Sequence, residues 1–241
     1  MIAQEIIKRI ETNSIDYLLT KFLTQEEIIE LKQIKNTNLN VFSFGGTKAQ
    51  ERERLIIQNK EYSEPSKEDY EISVLKISLP KKDLSITHRN VLGYLLSLGI
   101  KREVLGDILI VENNYYIYVT KDIVNYLKSN ITRINQYFVN VEEIADDSFN
   151  YELKIESKEI NISSNRIDAI ISKVYNLSRE SSQLLINKGL VQINHKQELH
   201  LEKSLKDNDL ISVRGYGRFK FIGIIRQTKK ERFVAIVEIF K

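Results

Sequence analysis

The 241-residue chain contains no cysteine. That excludes disulfides, thiolate zinc sites and cysteine nucleophiles together, and it fits a reducing, cytoplasmic setting. Histidine is scarce, with three residues, and scattered histidines without cysteines do not make a metal site. Neither metal nor cofactor is expected. No apolar run approaches the roughly 20 residues that cross a bilayer. The first residues, MIAQEIIKRIETN, carry acids and lack an apolar core, so neither a signal peptide nor a membrane partner is expected. Proline is nearly absent, with two residues. What remains is 42% hydrophobic and 29% charged, the composition of a soluble globular protein long enough for two or three small domains.

Charge is unevenly placed. Residues 161–241 hold 15 Lys+Arg against 8 Asp+Glu, a net of +7, and residues 1–160 hold 21 against 25, a net of −4. A basic C-terminal third on an acidic body suggests a polyanion-binding module on a carrier.

Periodicity divides the chain into three regions. Residues 1–70 read as mainly helical. Thr24-Gln-Glu-Glu27 fits a capping box opening a helix, Val41–Gly46 a short strand and turn, and AQERERLII a charged helix. Residues 71–155 read β-α-β-β-α-β: a strand from Ile72, a helix capped by Thr87 and stopped at Gly99, a hairpin about an Asn-Asn turn, a helix capped by Thr120, and a last strand Tyr137–Val141. That is the ferredoxin-like order shared with RRM-like folds. Tyr116 and Tyr118 share one strand face, where tyrosines pack more often than they stack bases.

Residues 161–241 read as two helices and a small antiparallel sheet. The first helix has its apolar stripe at Ile167, Ile170, Ile171 and Val174. The second is capped by Ser178 and ended by Gly189, and it places Arg179, Gln183 and Asn187 on one polar face. A cation in the first turn opposes the helix dipole, and a phosphate docked there would reverse that cost. The alternative is that Arg179 pairs with a nearby acid. Further on, VRGYGRFKF sets Arg214, Tyr216 and Arg218 about two glycines at the bend of an apolar hairpin, a place where a phosphate backbone can come close.

The spacing Arg166-Ile-Asp168, Ser178-Arg179, Ile186-x-x-Gly189-x-Val191-x-x-Asn194 resembles the S-four-type RNA-binding domain, with Ser182 standing where that pattern has a small apolar residue and His195 where glycine is common. FGGTKAQERERLII, ITHRNVLGYLLSLGIKREVLGDILI and VRGYGRFKF are similar to the matching segments of YlmH-type bacterial RNA-binding proteins. The resemblance implies an α+β chain: a helical N-terminal region, a ferredoxin-like central domain and a C-terminal S-four-type domain. It implies a non-enzymatic, cytoplasmic, monomeric protein that binds structured RNA. The expected partners are large-subunit ribosomal RNA, with tRNA a candidate beside it, in translation-associated quality control. The residues expected at RNA are Arg166, Arg179, Gln183, Asn187, Lys188, Arg214, Tyr216, Arg218 and Lys220. Candidate secondary contacts are Arg52, Arg54, His88, Arg89, Lys101 and Arg102.

Two other classes stay open on the residues alone. One is an RNA-modifying or tRNA-hydrolysing enzyme with His88 as base in the central domain. Against it, the chain lacks the Gly-Arg-Leu-Asp string of pseudouridine synthases (Asn165-Arg-Ile-Asp168 lacks the glycine), the glycine-rich loop of a methyltransferase and the nucleotide signatures of a synthetase. The other is a protein-interaction scaffold docking through residues 1–160.

Overall fold

The computed structural model describes residues 2–12, 15–33, 38–47, 51–79, 86–145, 155–228 and 232–240. They form a mixed helix-and-sheet chain of two compact units, Met1–Tyr151 and Glu152–Lys241. Among them no helix is long and apolar enough to cross a membrane.

The first unit opens with α1 (Ile2–Glu11), β1 (Tyr17–Leu19), β2 (Leu23–Thr24), α2 (Gln25–Lys32), β3 (Leu39–Phe44) and β4 (Arg52–Asn59). α2 carries the expected capping box: the Thr24 hydroxyl accepts from the Glu27 N–H, and the Glu27 carboxylate accepts from the Thr24 N–H at 2.8 Å. The mainly helical expectation for residues 1–70 is corrected here, because ERERLII is a strand. β4 is the hub of a four-stranded sheet, pairing with β3 along one edge and with β1 and β2 in succession along the other. Leu55, Ile56 and Ile57 are fully buried on it. Charges at helical spacing suggested ion pairs on a solvated face; instead the arginines meet backbone carbonyls of neighbouring segments, and the β-branched pair suits a central strand.

The chain continues through β5 (Ile72–Ser78), α3 (His88–Ser97), β6 (Leu105–Val111), β7 (Asn114–Thr120), α4 (Val124–Asn130), β8 (Arg133–Ile134), β9 (Tyr137–Phe138) and β10 (Asn140–Ile144). β5, β6, β7 and β10 form one antiparallel sheet in the order β10-β5-β7-β6. One face packs Leu75, Ile77, Ile117 and Val119 against Val91 and Leu95 of α3 and Val124 and Leu127 of α4. Thr87 caps α3 as expected, its hydroxyl paired with the N–H of Asn90. The Thr120 helix begins as a 3-10 turn, Lys121–Ile123, without a side-chain cap. The last strand of the sheet is Asn140–Ile144 rather than Tyr137–Val141: Tyr137 and Phe138 pair instead with Ile134 and Arg133 in a separate small hairpin.

Residues 1–70 and 71–151 lie in one unit because the first covers the second's other sheet face. Phe22, Val74 and Tyr118 form a buried cluster there. Tyr118 is 1% exposed, so it packs and does not stack bases. Gly106 permits the approach: a Cβ on it would stand 2.8 Å from the Phe22 ring and 2.9 Å from Tyr118 Cβ. Two arginines brace this region, each with one bond that crosses to residues 71–151, at Glu71 and Leu105. The Arg54 guanidinium donates to the carbonyls of Thr20 (2.7 Å), Tyr70 (2.7 Å) and Glu71 (2.9 Å). Arg52 donates to Phe22 O (2.8 Å) and Leu105 O (3.1 Å).

The second unit contains β11 (Ile155–Ile162), α5 (Ile167–Val174), α6 (Arg179–Asn187), β12 (Val191–Ile193), β13 (Lys196–Gln197), β14 (Asp209–Val213), β15 (Gly217–Gln227) and β16 (Phe233–Phe240). The sheet order is β11-β16-β15-β14-β12-β13. Ile167, Ile170, Ile171 and Val174 of α5 and Ile186 of α6 pack onto Phe219, Phe221, Ala235 and Val237 of the sheet. Ser182 fills a fully buried slot and its hydroxyl donates to Ser178 O at 3.2 Å, so the small polar residue is satisfied where an apolar one was expected. Asn194 ties the sheet: its amide oxygen accepts from Leu210 N–H (2.9 Å) and its amide nitrogen donates to Asp209 (2.8 Å). Asn194 and His195 both hold positive φ, 48° and 67°, as a two-residue turn between twisted strands requires.

Candidate nucleic-acid interface

α5 and α6 place four polar side chains about one point. Asp168, in the first turn of α5, has no solvent exposure. Its carboxylate accepts from Arg166 Nη2 (3.0 Å) and Nε (3.2 Å), from Arg179 Nε (3.0 Å), and from Gln183 Nε2 (2.9 Å). Arg166 also reaches Glu202 at 2.6 Å. Burial pushes the Asp168 carboxyl up, but the bonds from Arg166, Gln183 and Arg179 outweigh it and hold the group at about 2. One buried anion is thus shared by two guanidiniums, and with Glu202 the two cations meet two carboxylates. The Arg179 side chain remains 49% exposed, and its bonds to Asp168 run through Nε and Nη2. The pairing with a nearby acid is therefore present, and it fixes Arg179 without burying it.

The bend of VRGYGRFKF is the loop between β14 and β15. Val213 faces Gly217 in register, and three residues, Arg214 to Tyr216, make the turn. Gly215 and Gly217 hold φ of 89° and 114°, a region that L side chains rarely adopt. No atom lies within 4 Å of where a Cβ on Gly215 would stand, so backbone conformation, and not crowding, requires that glycine. The Arg214 N–H donates to Leu190 O at 2.8 Å, which holds the exposed tip against the chain leaving α6, just past Lys188. Tyr216 is 46% exposed and its ring tilts against Tyr175 at a centroid distance of 5.4 Å. Tyr175 in turn meets Phe219 edge-on. The Tyr175 hydroxyl is buried with no hydrogen-bond partner among the described residues, and burial pushes it up to about 12 against the nearby Arg218 charge.

The expected RNA residues thus fall into groups. Arg166, Arg179 and Gln183 converge on Asp168. Lys188, Arg214 and Tyr216 gather at the end of α6 and the hairpin tip, with Asn187 exposed beside Lys188. Arg218 stands over the Phe240 ring at 5.6 Å, and Lys220 faces Glu238 across the sheet. Sequence reasoning missed Asp168 as the hub and Tyr175 as the support of Tyr216. The Arg166-x-Asp168 spacing was a usable signal for the first, whereas nothing in the sequence marked the second.

The secondary candidates divide otherwise. Arg54 is 3% exposed and committed to three carbonyls, so the expectation of a surface contact there is not met. Arg52 is half-buried, and burial lowers its pKa against the pull of Glu27, Asp107 and Glu51. Arg102 donates to Leu105 O and Gly106 O. Burial and then Arg52 lower it to about 10, which leaves it charged at neutral pH. His88 is exposed at the surface; desolvation and then Arg102 lower its pKa, against the pull of Glu51. Arg89 and Lys101 are exposed. Among the described residues no group of His, Asp and Glu could hold a metal ion.

A model of the family described as "Putative RNA-binding domain in YlmH" matches residues 65–148. Over that segment the chain is similar to YlmH-type proteins. YlmH-type likeness extends beyond that segment. The chain is 29% identical over 228 residues to the Bacillus subtilis (strain 168) "Ribosome-associated protein quality control protein P2", covering 94% of this chain and 88% of that one. Among solved structures it is similar to "Cell division protein ylmH from Streptococcus pneumoniae", at 28% identity and a TM-score of 0.51, over 61% of this chain and 88% of that one.

Proposed function

We propose that this chain is a non-enzymatic protein that binds structured RNA on the ribosome and acts in ribosome-associated quality control. Within that reading it engages ribosomal RNA of the large subunit, with tRNA as a second contact. RNA binding and ribosome association follow the YlmH-type family and the quality-control relative. The finer assignment rests on the second unit, read as an S-four-type domain, with the central segment read as a ferredoxin-like, RRM-like module.

The observation that carries it is the convergence of Arg166, Arg179 and Gln183 on the buried Asp168 in the part of the chain with net charge +7. Held guanidiniums lose less side-chain entropy when a phosphate docks. The end of α6 and the hairpin tip add exposed cations at Lys188 and Arg214 and a flat ring at Tyr216. Such a surface reads backbone shape and unpaired bases more than sequence. His88 feels both the Arg102 cation and the Glu51 carboxylate, so experiment decides the enzyme reading.

Binding to purified large ribosomal subunits across a salt series tests this. Lys188→Ala/Arg214→Ala removes two exposed cations that hold no core together. Weaker binding with a salt slope shallower by about two is expected. Unchanged affinity and slope would remove the patch from RNA. Chemical change in tRNA or ribosomal RNA incubated with the pure protein, lost on His88→Ala, would establish the enzyme reading instead.

A further inference from the structure

The small hairpin β8–β9 displays an aromatic ring to solvent. Phe138 is 76% exposed, the most exposed large apolar side chain among the described residues. The hairpin beneath it is held in place. Ile134 and Tyr137 face each other on its inner side; Ile134 is fully buried and Tyr137 packs on the central core. The Val139 N–H closes the base on Thr132 O at 3.1 Å. On the outer side Arg133 is directly opposite Phe138, which places the two Cβ atoms about 5 Å apart. The turn residue Asn135 is exposed and holds φ of 54°.

We infer that Arg133 and Phe138 form a stacking site for one unpaired nucleotide of RNA, with the base on the Phe138 ring and its phosphate on Arg133. This rests on the RNA-binding reading above and adds a second contact, on the other unit. A ring beside a guanidinium is the combination that holds single strands: the face accepts any base and the cation neutralises backbone. The surroundings favour that occupant over a protein. Thr132, Arg133, Asn135, Gln136 and Asn140 are all exposed and polar around the single ring, whereas a protein partner needs about 800 Å² a side with an apolar centre. The site lies within residues 65–148, which match the putative RNA-binding domain. Residues 1–160 are net acidic, so the site is weak alone, and linkage to the basic unit raises its effective concentration.

The chain has no tryptophan, so Phe138→Trp creates a single fluorescent reporter at the site. The full chain is titrated with a short unstructured single-stranded RNA and, separately, with a duplex of equal length. Quenching of that fluorophore by the single strand and not by the duplex is expected. Phe138→Ala should weaken single-strand binding roughly 5- to 30-fold with the salt slope unchanged. Arg133→Ala should weaken it and flatten the slope by about one. Unmoved emission together with wild-type affinity in Phe138→Ala overturns the site, as does equal quenching by the duplex. Large-subunit binding by the same samples separates the two levels. Its persistence with an inert Phe138 removes this site alone, and its absence in the wild type removes the RNA reading beneath it.

Discussion

Arg179 and Asp168 lie on different helices, eleven residues apart, and Arg179 Nε meets the Asp168 carboxylate at 3.0 Å. The carboxylate is fully buried while the arginine is half exposed. That asymmetry makes Asp168 a positioning residue: it fixes the cation's direction from below and leaves its outer edge to solvent. The buried acid thus orients an exposed cation.

Replacing Asp168 with Asn should lower stability at pH 7 by about 2–3 kcal/mol, because it strands two guanidiniums that had shared one buried anion. The pH dependence follows from the depressed carboxyl. With a folded value of about 2 against an unfolded value of about 3.9, the unfolded chain takes up the proton first as pH falls. The stabilisation is complete above about pH 4 and is lost as pH falls through about 2. Urea unfolding of both chains from pH 7 to pH 2 checks this: the gap between them should close over that window.

Arg54→Ala should destabilise the first unit by about 2–4 kcal/mol, since three carbonyls lose one shared donor. Protein that remains folded should bind large subunits with wild-type salt slope. A shallower slope would return Arg54 to the RNA surface.

Gly106→Ala should cost about 1–3 kcal/mol by overpacking. The added methyl meets a buried ring and a Cβ, neither of them the free end of a flexible chain. Thermal unfolding of the variant measures it, and a wild-type midpoint would show that Phe22 can withdraw from Gly106.

Tyr175→Phe and Tyr216→Ala should separate folding from binding. The first deletes a buried hydroxyl without a partner and should leave stability equal or raise it by about 1 kcal/mol, with RNA affinity unchanged. The second removes a half-exposed ring that packs on Tyr175 and should cost about 0.5–1.5 kcal/mol of stability while weakening RNA binding. Denaturation and large-subunit binding on the same preparations test both.

Much of the local architecture was legible from short-range chemistry. The capping box at Thr24, the Thr87 and Ser178 caps and the apolar stripe of α5 each involve residues within one or two turns, where spacing alone determines the neighbours. ERERLII misled because its arginines have partners far away in sequence. A charge alternating with acids looks solvated until Thr20, Tyr70 and Glu71 supply carbonyls for it. Phe138 was misread for a similar reason: YFVNV alternates like one strand, yet pairing with Arg133 draws its first two residues out of the sheet.

By itself the sequence determined composition, the placement of net charge, the local helix starts and stops, and the spacing of Arg166, Asp168, Ser178 and Arg179. Each depends on identity and proximity along the chain. Only the tertiary structure decided which cations face solvent. Burial in water-free surroundings makes an arginine find acceptors wherever the fold brings them, and the same residue type became a pillar at Arg54 and a surface group at Arg179. It also decided that Arg179 and Gln183 join Arg166 on Asp168, because that meeting depends on how α6 packs beside α5, which the Arg166-x-Asp168 spacing alone does not set.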